Sequence, residues 1–361
     1  MSRDETIVEP VSVISLAPRI SDPDIARWLP KSGEYPTRTS IIMRGINSAI
    51  ANGLRRILLS EMDNLALQID QDSFETDDPF PMIDMITRRV LLIPLTQSRV
   101  EEGARFVLDV RNETDEPMDV ATANLLRVHD DRARQKHSAA AAPPFFETIT
   151  ILTLGPGKHI RFLADVVRGN GYDDAAFATA YTAMAIPLDE RPLEIDGAPP
   201  TSETARPYHA AARTVASSSV SDPRVYQLIY ESVGKGDPSA VMGRALDVFA
   251  ARTRAIAAAP CVRGQDKQSG GSSVQTIAPG GDAIAGLYTI TIQGETHTVG
   301  ELFSRCCIRA FPSIEFVACD RDDLTEELVI RVRTIAVPIE TVVRDTIQYA
   351  LDRLADIRKY F

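Results

Sequence analysis

The chain has 361 residues, 44% of them hydrophobic, and its 50 acidic against 39 basic residues give a formal net charge of −11. This length leaves room for about two or three domains with cores of their own. Binding of nucleic acid over a broad face rests on cationic contacts to phosphates, so the excess of acidic residues makes a stand-alone nucleic-acid-binding protein the least favoured hypothesis.

The N-terminal part of the chain predicts a strand followed by an amphipathic helix. Residues 37–44 alternate in the way typical of a strand. Leu59 lies on a different helix face, beside Arg55 and Arg56, so we expect this helix to be covered on both sides. Within residues 45–62 the apolar or small side chains recur at helical spacing and predict a face that packs on a core: Ile46, Ala49, Ile50, Gly53, Leu54, Ile57 and Leu58.

The middle of the chain predicts several strands, separated by polar loops, and two helices. A short helix within residues 80–95 ends at Pro94, and a longer helix spans residues 241–258. Residues 261–285 are rich in Gly and Ser and have no apolar periodicity, which predicts a flexible linker. The strands of this part are expected at residues 64–70, 104–110, 147–154, 159–167 and 225–233.

Residues 286–361 predict a second unit of strands and helices. Strands are expected at 287–292, 313–318 and 327–334, and the helix before the second strand starts with Thr298 and Glu301 at the spacing of a capping box. Pro338 suits the first turn of a final helix. The apolar side chains of that helix step by four and three residues, a heptad seam suited to lie along another helix: Val343, Ile347, Ala350, Leu354, Ile357 and Phe361.

The two units resemble each other. When residues 45–70 are set over residues 294–320, each has one helix between a strand before and a strand after it. Neither unit has enough strands to close a core alone. We therefore expect two similar halves packed helix to helix as an internal pseudo-dimer. The matched positions include Leu54 with Phe303, Arg56 with Arg305, and Leu59 with Ile308.

The sequence shows no constellation of residues that points to catalysis or to metal binding. The four cysteines are Cys261, Cys306, Cys307 and Cys319, and none form a C-x-x-C pair, so core packing is favoured over a metal or redox site. The five histidines lack metal-ligand spacing. The chain also lacks a signal-like apolar core and any long apolar run, which predicts a soluble intracellular protein.

Several motifs resemble those of the alpha-like subunits of cellular RNA polymerases, the bacterial alpha subunit and the third-largest subunit of eukaryotic and archaeal enzymes. The family pattern is Asn-x-Leu-Arg-Arg and, further on, Arg-x-x-Leu-Ile-Pro-Leu. The stretch ITIQGETHTVGELF and the closing helix resemble the eleventh subunit of the eukaryotic enzyme, although Glu301 replaces an Asn of that pattern. The first pattern is met by Asn52, Leu54, Arg55 and Arg56, and the second by Arg89, Leu92, Ile93, Pro94 and Leu95.

Fusion of both subunits in one chain resembles the polymerase subunit of nucleocytoplasmic large DNA viruses. The resemblance implies an α+β fold of two alpha-subunit-like dimerisation halves packed as an internal pseudo-dimer, the first half carrying a β-rich insert domain. Residues 1–61 with 222–260 would form the subunit-3-like half, 62–221 the insert, and 286–361 the subunit-11-like half. The implied compartments are the host cytoplasm and the virion, with the nucleus as an alternative.

The resemblance further implies a non-catalytic assembly subunit of a DNA-directed RNA polymerase, whose partners are the largest and second-largest subunits and small assembly subunits. Arg55 and Arg56 would contact the second-largest subunit, and residues 301–305 the largest. Family members carry a zinc site or an iron–sulfur cluster in the insert, but residues 62–221 contain no cysteine, so no cofactor and no metal are expected. The implied interface residues are Asn47, Asn52, Leu54, Arg55, Arg56, Ile93, Pro94, His297, Thr298, Glu301, Phe303 and Arg305.

One alternative from a different class stays open at this point. An independent α+β protein could form homodimers through the seam between Val343 and Phe361 and bind a small ligand. This alternative predicts a stable, soluble dimer with no exposed interface helix.

Overall fold

The computed structural model describes residues 7–8, 12–15, 37–79, 82–96, 99–128, 148–188, 225–232, 237–258, 261–262, 275–279, 285–322 and 324–361. These residues form a mixed α+β structure with helices packed on largely antiparallel sheets, which confirms the α+β part of the predicted fold class. The described helices are α1 (Ser48–Arg56), α2 (Ile83–Leu91), α3 (Pro238–Ala258), α4 (His297–Ala310) and α5 (Ile339–Arg358), and a π-helical turn, Ile57–Glu61, continues α1.

The described strands are short in the N-terminal part and longest in the middle of the chain. They are β1 (Ile7–Val8), β2 (Ser12–Ser15), β3 (Thr37–Arg44), β4 (Asp63–Thr76), β5 (Arg105–Arg111), β6 (Met118–Ala121), β7 (Leu126–Val128), β8 (Thr150–Leu154), β9 (His159–Asn170), β10 (Ala180–Pro187), β11 (Val225–Ser232), β12 (Cys261–Val262), β13 (Gln275–Pro279), β14 (Leu287–Gln293), β15 (Phe316–Asp322) and β16 (Glu327–Arg333).

The first sheet has the order β1–β3–β11–β10, and β2 also pairs with β3. Strand β3 runs antiparallel to β11, with Thr37 opposite Ser232 and Arg44 opposite Val225. Alternate side chains of β3 and β11, such as Ile41 and Leu228, are fully buried under α1 and α3. Strand β10 belongs to this sheet, although the sequence analysis placed its residues in the insert.

The middle of the chain forms a separate β-rich core. Strands β4–β9–β5–β7 make a four-stranded sheet, and β6 pairs with β8. Helix α2 packs on this core through Ile86 and Val90, and the stacked rings of Phe74 and Phe162 lie 5.8 Å apart between centroids. Strand β4 is twice as long as predicted, because an irregularity between Asp70 and Glu75 lets it continue pairing with β9.

The second half has a sheet of the order β12–β13–β14–β16–β15, with α4 and α5 on one face. Strands β12 and β13 lie within residues 261–285, which the sequence analysis predicted as a linker without regular structure. The backbone of β13 pairs with β14 over its whole length, from Gln275 opposite Ile292 to Pro279 opposite Tyr288. The described parts of this segment therefore extend the second sheet.

The two halves bury side chains in each other's cores. Leu302 and Cys306 of α4 lie in the core that α1, α3 and the first sheet form, and Ile256 of α3 lies in the core of the second half. The predicted seam on α5 is buried from Val343 to Ile357, and Phe361 packs against it half-buried. Val343 and Ile347 face the second core, whereas the side chains further along face the first core: Ala350, Leu354 and Ile357.

The residues that lead into α1 and α4 have the same backbone conformation and the same type of cap. Gly45 and Gly294 both adopt positive φ, 77° and 73°, which glycine tolerates without a Cβ clash. Two residues later, Asn47 and Thr296 are the N-caps of their helices. The predicted capping box at Thr298 is wrong, because the N-cap is Thr296, two residues earlier, and its hydroxyl accepts the backbone N–H of Thr298.

Candidate subunit interface

Helix α1 presents a polar face to solvent. Asn52 is exposed, and Arg55 Nε donates a 2.9 Å hydrogen bond to its Oδ1, so the amide holds the guanidinium three residues further along the helix. Arg55 and Arg56 are half-buried. Two arginines on one short face can bind carboxylates in bidentate geometry, which makes this face a candidate docking surface.

The exposed face of α4 is mixed in charge. Glu301 and Arg305 are both exposed and lie one helical turn apart, with 3.7 Å between Arg305 Nε and Glu301 Oε2. Ile308, which continues this face, is 48% exposed. His297 is half-buried at the start of the helix. The two charges and the exposed apolar side chain make this face a second candidate docking surface.

Four predicted interface residues are inside the chain. Leu54 is fully buried in the first core and Phe303 in the second, because each lies on the inward stripe of its helix. Ile93 is buried in the core of the middle domain, and Thr298 is buried between the halves. These side chains pack the protein itself, so a direct contact with another subunit is not available to them.

Two further predicted residues support local structure. Asn47 caps α1, since its Oδ1 accepts the backbone N–H of Ile50 at 2.9 Å. Pro94 follows the end of α2 and is half-buried. The neighbouring arginines of α2 are tied within the same domain, Arg88 to Asp174 at 2.5 Å and Arg89 to the carbonyl of Ile151 at 2.9 Å.

A polar cluster joins the two halves beneath these faces. We call it the Glu61 cluster: Glu61, Arg252, Glu295, Thr296 and Thr298. Arg252 on α3 binds both carboxylates, contacting Glu61 and lying 2.6 Å from Glu295 Oε2. Thr298 donates to Glu61 Oε1 at 2.7 Å. The side chains of Glu61 and Glu295 are only 7% and 11% exposed, so they depend on these partners for compensation.

Sequence reasoning missed this cluster because its members are far apart in the chain. Glu61, Arg252 and Glu295 lie in three separate segments that only the packing of the halves brings together. The one available signal was a charged residue within or next to an apolar helix pattern. A single charge at such a position is usually solvated, so it did not single out Glu61 or Arg252.

The thiols of α4 pack in the protein core. Cys306 and Cys307 are fully buried, which confirms the prediction for these two, and Cys319 is half-buried. Burial raises the pKa of Cys306 to about 12 and that of Cys307 to about 11.

We expect the Cys306 and Cys307 thiols to resist alkylation in the folded chain at pH 8, because only the thiolate reacts and almost none is present so far below these pKa values. Peptide mass spectrometry after iodoacetamide treatment, with and without denaturant, measures this. Labelling of both thiols at equal rates in the two conditions would contradict the buried placement.

The part of the chain that the structure describes contains neither a candidate metal site nor a candidate membrane-spanning helix. There, no group of three or more His, Cys, Asp or Glu side chains is arranged to hold a metal ion. Among the same residues, no helix combines the length and the apolar character that crossing a membrane requires.

Comparison with known proteins identifies relatives over most of the chain. No protein-family model matches it. Over 307 residues, it is 26% identical to the DNA-directed RNA polymerase RPB3-11 homolog of African swine fever virus, Tick/Malawi isolate, and 25% identical to that of the Pig/Kenya isolate. Each match covers 82% of this chain and 79% of the viral protein. The chain is similar to a fused RPB3-11 polymerase subunit.

This similarity confirms the resemblance stated from the motifs. The match to the RPB3-11 homologs covers 82% of this chain, which is more than residues 1–260 contain. Because 82% of 361 residues cannot fit within residues 1–260, the match extends beyond the first half.

Proposed function

We propose that the chain is the assembly subunit of a multi-subunit DNA-directed RNA polymerase, with no catalytic residue of its own. The observation that carries the proposal is the similarity to RPB3-11 homologs across both halves. In this role the chain pairs internally and docks the largest and second-largest subunits, together with small assembly subunits. We further propose that assembly takes place inside the host cell.

The internal pairing is proposed as a pseudo-dimer of two alpha-like halves. Three features support it. Gly45 and Gly294 both have positive φ before their helices, and Asn47 and Thr296 both cap those helices. In addition, α1 packs on α4 and α3 packs on α5. Like helices meet, as they do across a two-fold axis. A chain that carries both halves raises their effective concentration, so the pair forms without a bimolecular step.

Docking is proposed to use the two exposed helix faces. The face of α1 with Asn52 and Arg55 would bind carboxylates of the second-largest subunit, and the face of α4 with Glu301 and Arg305 would bind the largest. The division into a first half (1–61 with 222–260), an insert (62–221) and a second half (286–361) remains part of the proposal, with β10 added to the first half.

The surface that the homodimer alternative requires is buried within the chain in this structure. It needs a free seam on α5, but Ala350, Leu354 and Ile357 are at most 1% exposed against the first half of the same chain. A second copy of the chain could reach these side chains only after the halves separate. The polymerase proposal needs no such separation.

Affinity capture of the tagged chain from its native cell tests the proposal. We expect two very large chains to be recovered, and we expect Arg55→Glu to lower recovery of the second-largest by about tenfold, which corresponds to 1.4 kcal/mol. Arg344→Glu serves as the matched control, since Arg344 is a 73% exposed arginine on α5, a helix that supplies neither proposed docking face.

The control should recover both large chains at the wild-type level. Glu301→Lys with Arg305→Glu should reduce the largest chain selectively. Recovery of the tagged chain alone, or of a simple homodimer, would contradict the proposal.

A further inference from the structure

A π-helical turn places the nearly buried carboxylate of Glu61 beside Arg56 of α1. In an α-helix, side chains three or four residues apart are neighbours, whereas a π-helix closes its hydrogen bonds over five residues. The turn Ile57–Glu61 starts directly after Arg56, and Glu61 is five residues beyond Arg56. Arg56 Nε accordingly lies 3.7 Å from Glu61 Oε1.

The same carboxylate contacts the second half of the chain. Glu61 Oε1 accepts hydrogen bonds from Thr298 at 2.7 Å and from Thr296 at 3.4 Å. Arg252, which binds the other carboxylate oxygen, is shared with Glu295 of the second half. The orientation of Glu61 therefore depends on Arg252 of the first half and also on the hydroxyls of Thr296 and Thr298, which only the packed second half supplies.

We propose that Glu61 is a positioning residue that holds Arg56 in its docking orientation, and that it does so only while the two halves are packed together. The inference rests on the proposed function, because it concerns the α1 face as a docking surface. Arg56 has a long side chain with a 33% exposed surface, and ordering such a side chain opposes binding. If Glu61 orders the Arg56 side chain before docking, less conformational entropy is lost when the subunit binds.

The consequence is an order of assembly. When the second half is unpaired, Glu61 loses the hydroxyl of Thr298 and the shared arginine loses Glu295. Arg56 is then no longer held, and the α1 face is incomplete. The large subunit would thus dock preferentially on chains whose halves have already paired.

A double-mutant cycle in the full chain tests the positioning role. Capture of the second-largest chain is compared for wild type, Glu61→Gln, Arg56→Met and the double variant. We expect Glu61→Gln to weaken capture about three- to tenfold when Arg56 is present, and to add nothing in the Arg56→Met background. An equal loss in both backgrounds would show a merely structural role and overturn the proposal.

Hydrogen exchange on the isolated full chain tests the coupling without a partner. Thr298→Val removes one donor to Glu61 from the second half, and we expect the amides of residues 57–62 to exchange at least threefold faster. Glu301→Gln is the matched control, because Glu301 lies on the same helix and is exposed. Unchanged exchange at 57–62 in Thr298→Val would overturn the coupling.

The two arms separate the inference from the proposed function. If wild type captures no large chain, the docking role falls together with the proposed function, whereas faster exchange in Thr298→Val still supports the coupling between halves. If wild type captures the large chains and the cycle shows no coupling, only the inference falls. Should Glu61→Gln fail to fold, Thr298→Val replaces it in the cycle with the same expectation.

Discussion

Replacing Arg252 with methionine is expected to lower the free energy of unfolding by about 3–5 kcal/mol. The change keeps an apolar stem of similar length and removes the cation that two nearly buried carboxylates share. Glu61 would keep the Thr298 hydroxyl and the more distant Arg56, while Glu295 would lose the one cationic partner it has among the described residues. Guanidinium unfolding followed by circular dichroism measures the loss.

Arg358→Met is the matched control for this variant. Arg358 is likewise an arginine that pairs with a carboxylate on another helix. Its Nε on α5 lies 3.0 Å from Asp247 Oδ1 on α3, but both side chains are exposed to solvent. We expect its removal to leave the unfolding midpoint close to wild type, because solvated ion pairs contribute little. Equal losses in the two variants would contradict the view that burial makes the Glu61 cluster important.

Leu354→Ala is expected to lower the free energy of unfolding by about 2–5 kcal/mol. Leu354 belongs to α5 of the second half, yet its side chain is 1% exposed within the core formed by the first sheet, α1 and α3. The truncation loses the burial of the removed carbons and leaves a cavity between the halves. The same denaturant unfolding measurement applies, and a single transition is expected in both proteins.

Ile308→Ala is the matched control for this truncation. Ile308 is an aliphatic residue of similar size on α4 and is 48% exposed. Surface substitutions of this kind change stability by about 0.5 kcal/mol or less. If Leu354→Ala were as mild as Ile308→Ala, or if it unfolded the second half alone, the two halves would not share a core.

Much of the fold was predictable where the signal is local. Residues 37–44 alternate cleanly and form β3 with those bounds, and the heptad steps of α5 identify the buried seam. Strand β10 was missed, because its small residues and its bulge between Ala180 and Thr182 hide the alternation. The helix cap was predicted two residues too late, since Thr296 and Thr298 carry the same hydroxyl and only the backbone geometry distinguishes them.

The candidate interface was predictable only in part, for a physical reason. The motif around Leu54 and Arg55 indicates a candidate helix, but it groups Leu54 with the docking residues although the apolar periodicity places that side chain on the core-facing stripe. The structure confirms the stripe, because Leu54 is buried in the first core while Asn52 and Arg55 remain accessible. The π-helical turn that relates Glu61 to Arg56 has no sequence signature that a periodicity argument could detect.

The measurement that tests the central claim most directly is a structure, by electron cryo-microscopy, of the assembly captured on the tagged chain. The account predicts one copy of the chain with its halves packed together, the Asn52–Arg55 face of α1 against one very large subunit, and the Glu301–Arg305 face of α4 against another. A captured particle in which both faces are open to solvent, or in which a second copy of this chain occupies the α5 seam, would contradict it.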